Sequence, residues 1–255
     1  MSLEIITVPC LSDNYAFIAR DQETGVTALV DVPEAAPILA ELDARGWGLD
    51  LILLTHHHDD HIQGVPEVIA KTNAKVVGAK ADAHRLPKLD MALNEGDSIN
   101  IGASEGVVLD VSGHTIGHIA FHFAKAKTIF TADSLMALGC GRLFEGSFAQ
   151  MWESLSKMAV LDPDTLVCSG HEYTAANGRF AMSVEPENTD LQTRVKEIAS
   201  ANVKGVPTVP SLLSLELATN PFLRPHSPEI RVNLNMQDAS DADVFAEIRR
   251  RKDNF

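Results

Sequence analysis

Four side chains able to bind a metal, His56, His58, Asp60 and His61, fall within the seven residues Thr55, His56, His57, His58, Asp59, Asp60 and His61. Imidazole nitrogen with carboxylate oxygen suits zinc and its first-row neighbours, whereas calcium and magnesium take oxygen cages. The box follows the apolar run 51–54, which reads as a buried strand. Alternate residues share a face while the chain stays extended, so His56 and His58 converge on one ion. Asp60 and His61 come as the chain turns. Being adjacent, they cannot share one small ion with both upstream histidines, and they therefore face a second. His57 and Asp59 point away, towards hydrogen-bond partners or solvent. An internal position and interspersed aspartates exclude a tag remnant.

Further ligands are expected where other strands end. Gly113 and Gly117 flank His114 after the run 107–111, Asp133 follows the run 128–131, and His171 follows the run 165–168. Taken in order after the first box, they complete two sites: His56, His58 and His114 for one ion, Asp60, His61 and His171 for the other, with Asp133 on both. That leaves open positions for water, the coordination of a catalytic centre. His84, His118, His122 and His226 fit no strand-end pattern and are assigned structural roles.

The elements that must position these residues are legible as periodicity. Strands are predicted at 5–8, 16–19, 27–30, 51–54, 75–77, 107–111, 118–123, 128–131 and 165–168, and helices at 34–45, 149–161, 190–201 and 240–252. This is an α/β chain, two sheets with helices outside, changing to helix and proline-punctuated connection from about residue 173. The domains expected are residues 1–172 and residues 173–255. The formal charge of −14 excludes nucleic acid or an anionic membrane as the main partner. Its distribution is uneven: residues 203–255 hold seven Lys/Arg and seven Asp/Glu, while residues 1–202 hold fourteen against twenty-eight. No segment approaches the ~20 apolar residues of a membrane span, and the first residues lack the features of a signal peptide. The three scattered cysteines, Cys10, Cys140 and Cys168, fit a reducing compartment, so a cytoplasmic location is expected. Cys140 and Cys168 are weighed as further metal contacts, with buried thiols the simpler reading.

This ordered set resembles the metallo-β-lactamase superfamily and, within it, the glyoxalase II family of hydroxyacylglutathione hydrolases. The resemblance is carried by Asp31, the box at 55–61, Gly113-His114-Thr115, Asp133, the glycine-rich stretch 139–146, Gly170-His171-Glu172-Tyr173, Asn220-Pro221-Phe222-Leu223-Arg224, and the ending 249–255. It implies an αββα sandwich with a C-terminal helical domain that binds glutathione over the metal site. It also implies that Arg142, Phe144, Tyr173, Arg249 and Lys252 line the glutathione pocket. Two positions depart from the family pattern: Arg142 and Phe144 stand where some members carry lysine and tyrosine, and Ala132 replaces the usual glycine before the aspartate.

The tail reads consistently from its own residues. Ser240 caps a helix with Asp243 at the capping-box position, Val244, Phe245 and Ile248 form the buried stripe, and Arg249 and Lys252 share a face. The activity implied is hydrolysis of S-(2-hydroxyacyl)glutathione thioesters, expected S-D-lactoylglutathione to D-lactate and glutathione in methylglyoxal detoxification. Water activated by two divalent ions attacks, and Asp60 and Asp133 are the catalytic carboxylates. Zinc is the first expectation, with iron and manganese admitted by the same donors. The protein partner state expected is monomer or weak oligomer. Rival readings are a lactonase or β-lactamase of the same superfamily and a mononuclear-iron persulfide dioxygenase. The complete second ligand set argues against the last.

Overall fold

The structure is a computed structural model and describes residues 3–255, which gather into two compact units. The first runs to Val111 and resumes over Ile116–Ala132; the second holds Ser112–Thr115 and Asp133–Phe255.

The first unit contains β1 (Leu3–Cys10), β2 (Asn14–Asp21), β3 (Thr27–Val30), β4 (Leu51–Leu53), β5 (Lys75–Ala79) and β6 (Met91–Leu93), hydrogen-bonded in that order. β1, β2 and β3 are antiparallel, and β3 to β6 are parallel. Parallel strands are covered on both faces, which is why β3, β4 and β5 read as apolar runs without alternation. Helices α1 (Ala35–Arg45) and α3 (Val65–Thr72), separated by the single turn α2 (Asp59–Ile62), cover one face. There Ile38, Leu42, Val65 and Val68 join Ile18, Leu29, Ile52, Leu54 and Val76 in one buried cluster. On the other face Phe17 of β2 meets Phe130, ring centroids 6.0 Å apart. Phe130 belongs to a second, antiparallel set: β7 (Ser98–Ile101), β8 (Ser104–Asp110), β9 (Ile119–Phe123) and β10 (Thr128–Ala132). The unit is thus helices, sheet, sheet, with β3 and β4 ending side by side at Asp31 and Thr55.

The second unit holds the hairpin β11 (Leu135–Met136) and β12 (Gly139–Cys140), the pair β13 (Leu166–Ser169) and β14 (Ser211–Leu212), and six helices. These are α4 (Phe148–Ala159), α5 (Thr174–Val184), α6 (Thr189–Val203), α7 (Leu213–Thr219), α8 (Pro228–Leu234) and α9 (Asp241–Asp253). A chain of rings runs through it, Phe180 to Phe222 at 5.9 Å, Phe222 to Phe245 at 6.1 Å and Phe245 to Trp152 at 5.7 Å. The segment before the glycine-rich stretch is held by side chains: Glu216 accepts from Leu138 N–H at 2.8 Å, and the Asn220 amide donates to Met136 and Gly139 carbonyls at 3.1 and 3.0 Å. Asn177 donates to Ala137 O at 3.0 Å. Among the described residues no helix is long and apolar enough to cross a membrane.

All four helices expected from periodicity form, as α1, α4, α6 and α9. α5 escapes the pattern because its buried stripe is Thr174, Asn177, Gly178, Phe180, Ala181 and Val184, half of it small or polar. In α9 Ser240 accepts from Asp243 N–H at 3.2 Å, and Val244, Phe245 and Ile248 are fully buried, as expected.

A buried polar corner locks β2 to β8 within the first unit. Asp21 accepts from Ser104 Oγ at 2.6 Å and from Thr24 N–H at 2.8 Å, and the Ser104 hydroxyl above all holds its carboxyl down at about 2, from an ordinary 3.8. A depressed carboxyl stabilises the fold above its unfolded pKa, and the contribution is lost as pH falls through the folded value. Ser104→Ala should therefore lower the urea midpoint most at pH 6, and the difference from wild type should shrink between pH 4 and 2 as the wild-type carboxyl protonates. A difference that stays constant across that range would show that the hydroxyl does not set the carboxyl's charge.

Candidate functional site

In the first unit the ligands of the box lie where β4 gives way to α2. His56 leaves the strand end, His58 caps α2 and Asp60 and His61 lie in its one turn, with His61 N–H donating to His58 O at 2.9 Å. The rings of His56 and His58 are 4.7 Å apart, those of His56 and His61 4.3 Å, and His61 Nε2 is 3.8 Å from Asp60 Oδ2. All four expected ligands of this box come together. His57 turns aside to Asp82 at 3.2 Å, and His118, fully buried, stacks on His56 at 4.6 Å.

What orients these rings is a group to which the sequence reading assigned no role. Asp31, at the end of β3, sits at φ +57°, a conformation that aspartate tolerates better than most residues. Its Oδ1 accepts from Thr55 N–H at 2.9 Å; its Oδ2 accepts from Thr55 Oγ1 and from His61 Nδ1, both at 2.8 Å. Having given its proton to Asp31, the Thr55 hydroxyl accepts from His56 Nδ1 at 3.0 Å. Both imidazoles thus carry the proton on Nδ1 and offer Nε2. Asn14 holds Asp60 in the same manner, its amide 3.0 Å from Oδ2 and 3.1 Å from the backbone carbonyl. Asn14 and Thr55 carry no motif of their own, and only their neighbours reveal what they do.

The second unit brings together His114, Asp133 and His171. Asp133 Oδ2 lies 3.5 Å from His114 Nε2 and 3.3 Å from His171 Nε2, one carboxylate oxygen between two imidazoles. His114 Nδ1 donates to the Arg142 carbonyl at 2.6 Å, which again leaves Nε2 as the donor atom. That carbonyl comes close because the preceding residue is glycine: a Cβ on Gly141 would sit 2.0 Å from Asp133 O and 2.8 Å from His114 Nδ1. Asp133 follows Ala132, whose φ of +41° explains why glycine is usual there; alanine pays about 1 kcal/mol for that conformation.

The expected substrate residues divide. Phe144, 63% exposed, meets His114 edge-on at 5.3 Å, and Tyr173, 40% exposed, stacks on His171 at 4.6 Å and 7°. Lys252 is half-buried, its ammonium over Phe180 at 5.4 Å and Phe255 at 5.5 Å. Burial first, then the nearby charges of Arg249 and Arg179, move its pKa down. Arg142 is exposed, with Nε 3.3 Å from Asp253 Oδ1. Arg249, expected to line the glutathione pocket, is buried. It is 5% exposed, donates to Cys140 O at 2.8 Å and to Asp253 Oδ1 at 2.9 Å, and lies over Phe222 at 5.1 Å. The reason is phase: Arg249 is four residues after Phe245 and so continues the buried stripe of α9.

Nitrogen and oxygen donors, with His56, His61, His114 and Asp60 oriented by neighbours, fit first-row divalent metal ions. Among the described residues no cysteine belongs to these donor clusters; all three are buried, and burial pushes Cys10 and Cys140 up to about 11 and Cys168 upward as well. Because Asp31 orients two rings at once, Asp31→Asn should weaken divalent-metal affinity by about 10–100-fold with the fold retained by circular dichroism. Unchanged metal affinity in a chelator competition would remove Asp31 from this role.

Two family models match the chain. Residues 19–171 match the family model of the metallo-beta-lactamase superfamily, and residues 172–255 match that of the hydroxyacylglutathione hydrolase C-terminus. The chain is 63% identical over its full length, and that of the relative, to a hydroxyacylglutathione hydrolase of Ruegeria pomeroyi. It is 51% identical, over 99% of each chain, to one of Methylococcus capsulatus. Among solved structures, ETHE1 from Myxococcus xanthus superposes with a TM-score of 0.67 at 22% identity, covering 98% of this chain and 90% of that one. The B3 metallo-beta-lactamase BLEG-1 also gives 0.67, at 20% identity over 87% of this chain and all of that one. At that identity the structural likeness establishes the metallo-β-lactamase fold alone. Full-length likeness in sequence goes further, and on it the chain belongs to the hydroxyacylglutathione hydrolase family.

Proposed function

We propose that this chain hydrolyses S-(2-hydroxyacyl)glutathione thioesters, S-D-lactoylglutathione foremost, to a 2-hydroxy acid and glutathione. The observation that carries the reading is Asp133 Oδ2 shared between His114 and His171 at 3.5 and 3.3 Å, with the rings of Phe144 and Tyr173 against those same histidines. We assign His56, His58 and His114 to one divalent cation, Asp60, His61 and His171 to a second, and Asp133 to both, with zinc the first candidate. Such a pair, when bound, supplies water acidified towards a pKa of ~7 and an electrophilic contact for the thioester oxygen.

The chain's own residues do the rest. Asp31, Thr55 and the Arg142 carbonyl keep the protons of His61, His56 and His114 on Nδ1. Asn14 fixes the Asp60 carboxylate. Phe144 and Tyr173 offer exposed ring surface to the apolar part of the thioester and exclude water beside it. Lys252 and Arg142 offer cations to the glutathione carboxylates, which an otherwise acidic chain would repel. The departing group is a thiol with a pKa near ~8.5, so it leaves as thiolate and no side chain need protonate it. We place the catalytic domain at residues 1–172 and the substrate-binding helical domain at 173–255. We also propose a cytoplasmic location, which three buried thiols suit.

Elemental analysis of the purified protein should approach two transition-metal ions per chain, and chelation should abolish activity on S-D-lactoylglutathione while a lactone, a β-lactam and glutathione persulfide serve as comparison substrates. Full activity with one ion, or a preference for any of the three others, would defeat the assignment. Asp133→Ala should lower kcat by more than about 100-fold, beyond the loss typical of a group that only orients a ligand. His57→Ala, whose ring turns to Asp82, should stay within about tenfold of wild type, since a group outside the ligand set costs no more than an orienting one. Comparable losses would mean that the ligand phase along the box is wrong. Lys252→Ala should raise KM several-fold to tenfold, ~1–1.4 kcal/mol of largely uniform binding, with kcat changed less. An unchanged KM would remove the lysine from the pocket.

A further inference from the structure

The pair of buried Arg249 and half-buried Asp253 has no task in the reading above, yet its contacts lead step by step to a ligand. Arg249 comes from the inner face of α9, and its Nη1 donates to the Cys140 carbonyl at 2.8 Å. Its Nη2 donates to Asp253 Oδ1 at 2.9 Å, one helical turn on, so the carboxylate holds the guanidinium fork in the plane that reaches Cys140. The same Oδ1 accepts from Arg142 Nε at 3.3 Å, and the Asp253 carbonyl accepts from Arg142 Nη2 at 3.2 Å. Residues 140 and 142 are therefore tied to the end of α9, one through its backbone and the other through its side chain. Between them lies Gly141, packed against Asp133 O and His114 Nδ1 with no room for a side chain. The Arg142 carbonyl, delivered by this segment, accepts the His114 Nδ1 proton at 2.6 Å.

We propose that Arg249 and Asp253 are positioning residues for His114: the last turn of α9 clamps residues 140–142 and so fixes the carbonyl that sets the tautomer and direction of that ligand. The inference rests on the assignment of His114 to a metal. It gives the α9 terminus two separable tasks, Lys252 facing substrate and the Arg249–Asp253 pair facing inward to the metal ligand. A purely structural pair would pin the helix to the hairpin and leave His114 where it is.

The test is zinc affinity of the metal-stripped protein, by competition with a chromophoric chelator, for Asp253→Asn, Arg249→Lys, Lys252→Ala and Arg251→Ala, each checked for fold by circular dichroism. Asp253→Asn and Arg249→Lys should bind zinc about three- to tenfold more weakly, less than the 10–100-fold loss of a direct orienting partner because they act one bond further out. After reconstitution with zinc they should lower kcat more than they raise KM. Lys252→Ala should show the opposite split with zinc affinity retained. Arg251→Ala, whose partner is Glu247 on the exposed face, should retain zinc affinity and so separate the clamp from mere loosening of the last turn. Should either clamp variant fail to fold, Arg142→Ala replaces it, since it cuts the side-chain tie and keeps the carbonyl. Folded Asp253→Asn and Arg249→Lys with wild-type zinc affinity would overturn the proposal. A wild-type chain that takes up no zinc would instead overturn the ligand assignment beneath it.

Discussion

An imidazole nitrogen binds a cation only while its proton is kept on the other nitrogen, and much of the buried polar structure of this chain meets that one requirement. His61 gives its Nδ1 proton to Asp31, His56 gives its own to Thr55, and His114 gives its own to the Arg142 carbonyl. Each acceptor is a strand-end residue or the backbone beside a glycine, so the acceptors come from positions that the sheets and the hairpin define. Burial makes the arrangement obligatory, because a ring N–H inside the protein without an acceptor costs about 1–3 kcal/mol.

The local backbone strain follows from the same need. Asp31 at φ +57° and Ala132 at φ +41° both stand at the ends of strands, where the chain must turn sharply to aim a carboxylate. Neither would hold that conformation alone. Asp31 is over-determined by its three acceptor bonds.

Helices in the second unit act largely through side chains that reach backbone. Glu216, Asn220 and Asn177 take up N–H and C=O groups of residues 136–139 at the tip of the β11–β12 hairpin. Glu216 is in turn neutralised by Arg194, with Ser211 donating to it at 2.6 Å, and Glu185 by Arg224 at 2.8 Å. A buried ion pair of this kind adds little net stability, since desolvation offsets attraction, but breaking one side of it is costly. Its effect is to hold Glu216 where it accepts from the Leu138 N–H, just before the glycine-rich stretch. This accounts for Asn220 and Arg224 in the chain: Asn220 holds the segment directly, and Arg224 holds the carboxylate of Glu185 that organises the connection after α5.

The amino-acid sequence by itself determined the strands β3, β4 and β10, the helices α1, α4, α6 and α9, and the candidacy of His56, His58, Asp60, His61, His114, Asp133 and His171. Periodicity and residue chemistry are local, and each of these could be read within a few neighbours. Tertiary structure decided what depends on groups distant in the chain. Asp31 and Thr55 are 24 residues apart, and only the parallel pairing of β3 with β4 makes one the acceptor for the other. α5 was hidden because threonine, asparagine and glycine interrupt its buried face and weaken the hydrophobic signal of Phe180, Ala181 and Val184. Arg249 shows the limit most directly. Its spacing from Lys252 suggested a shared face, while its spacing from Phe245 equally allowed the buried one. The choice fell to the Cys140 carbonyl and the Asp253 carboxylate, acceptors that made burial of a guanidinium affordable and that no local pattern could reveal.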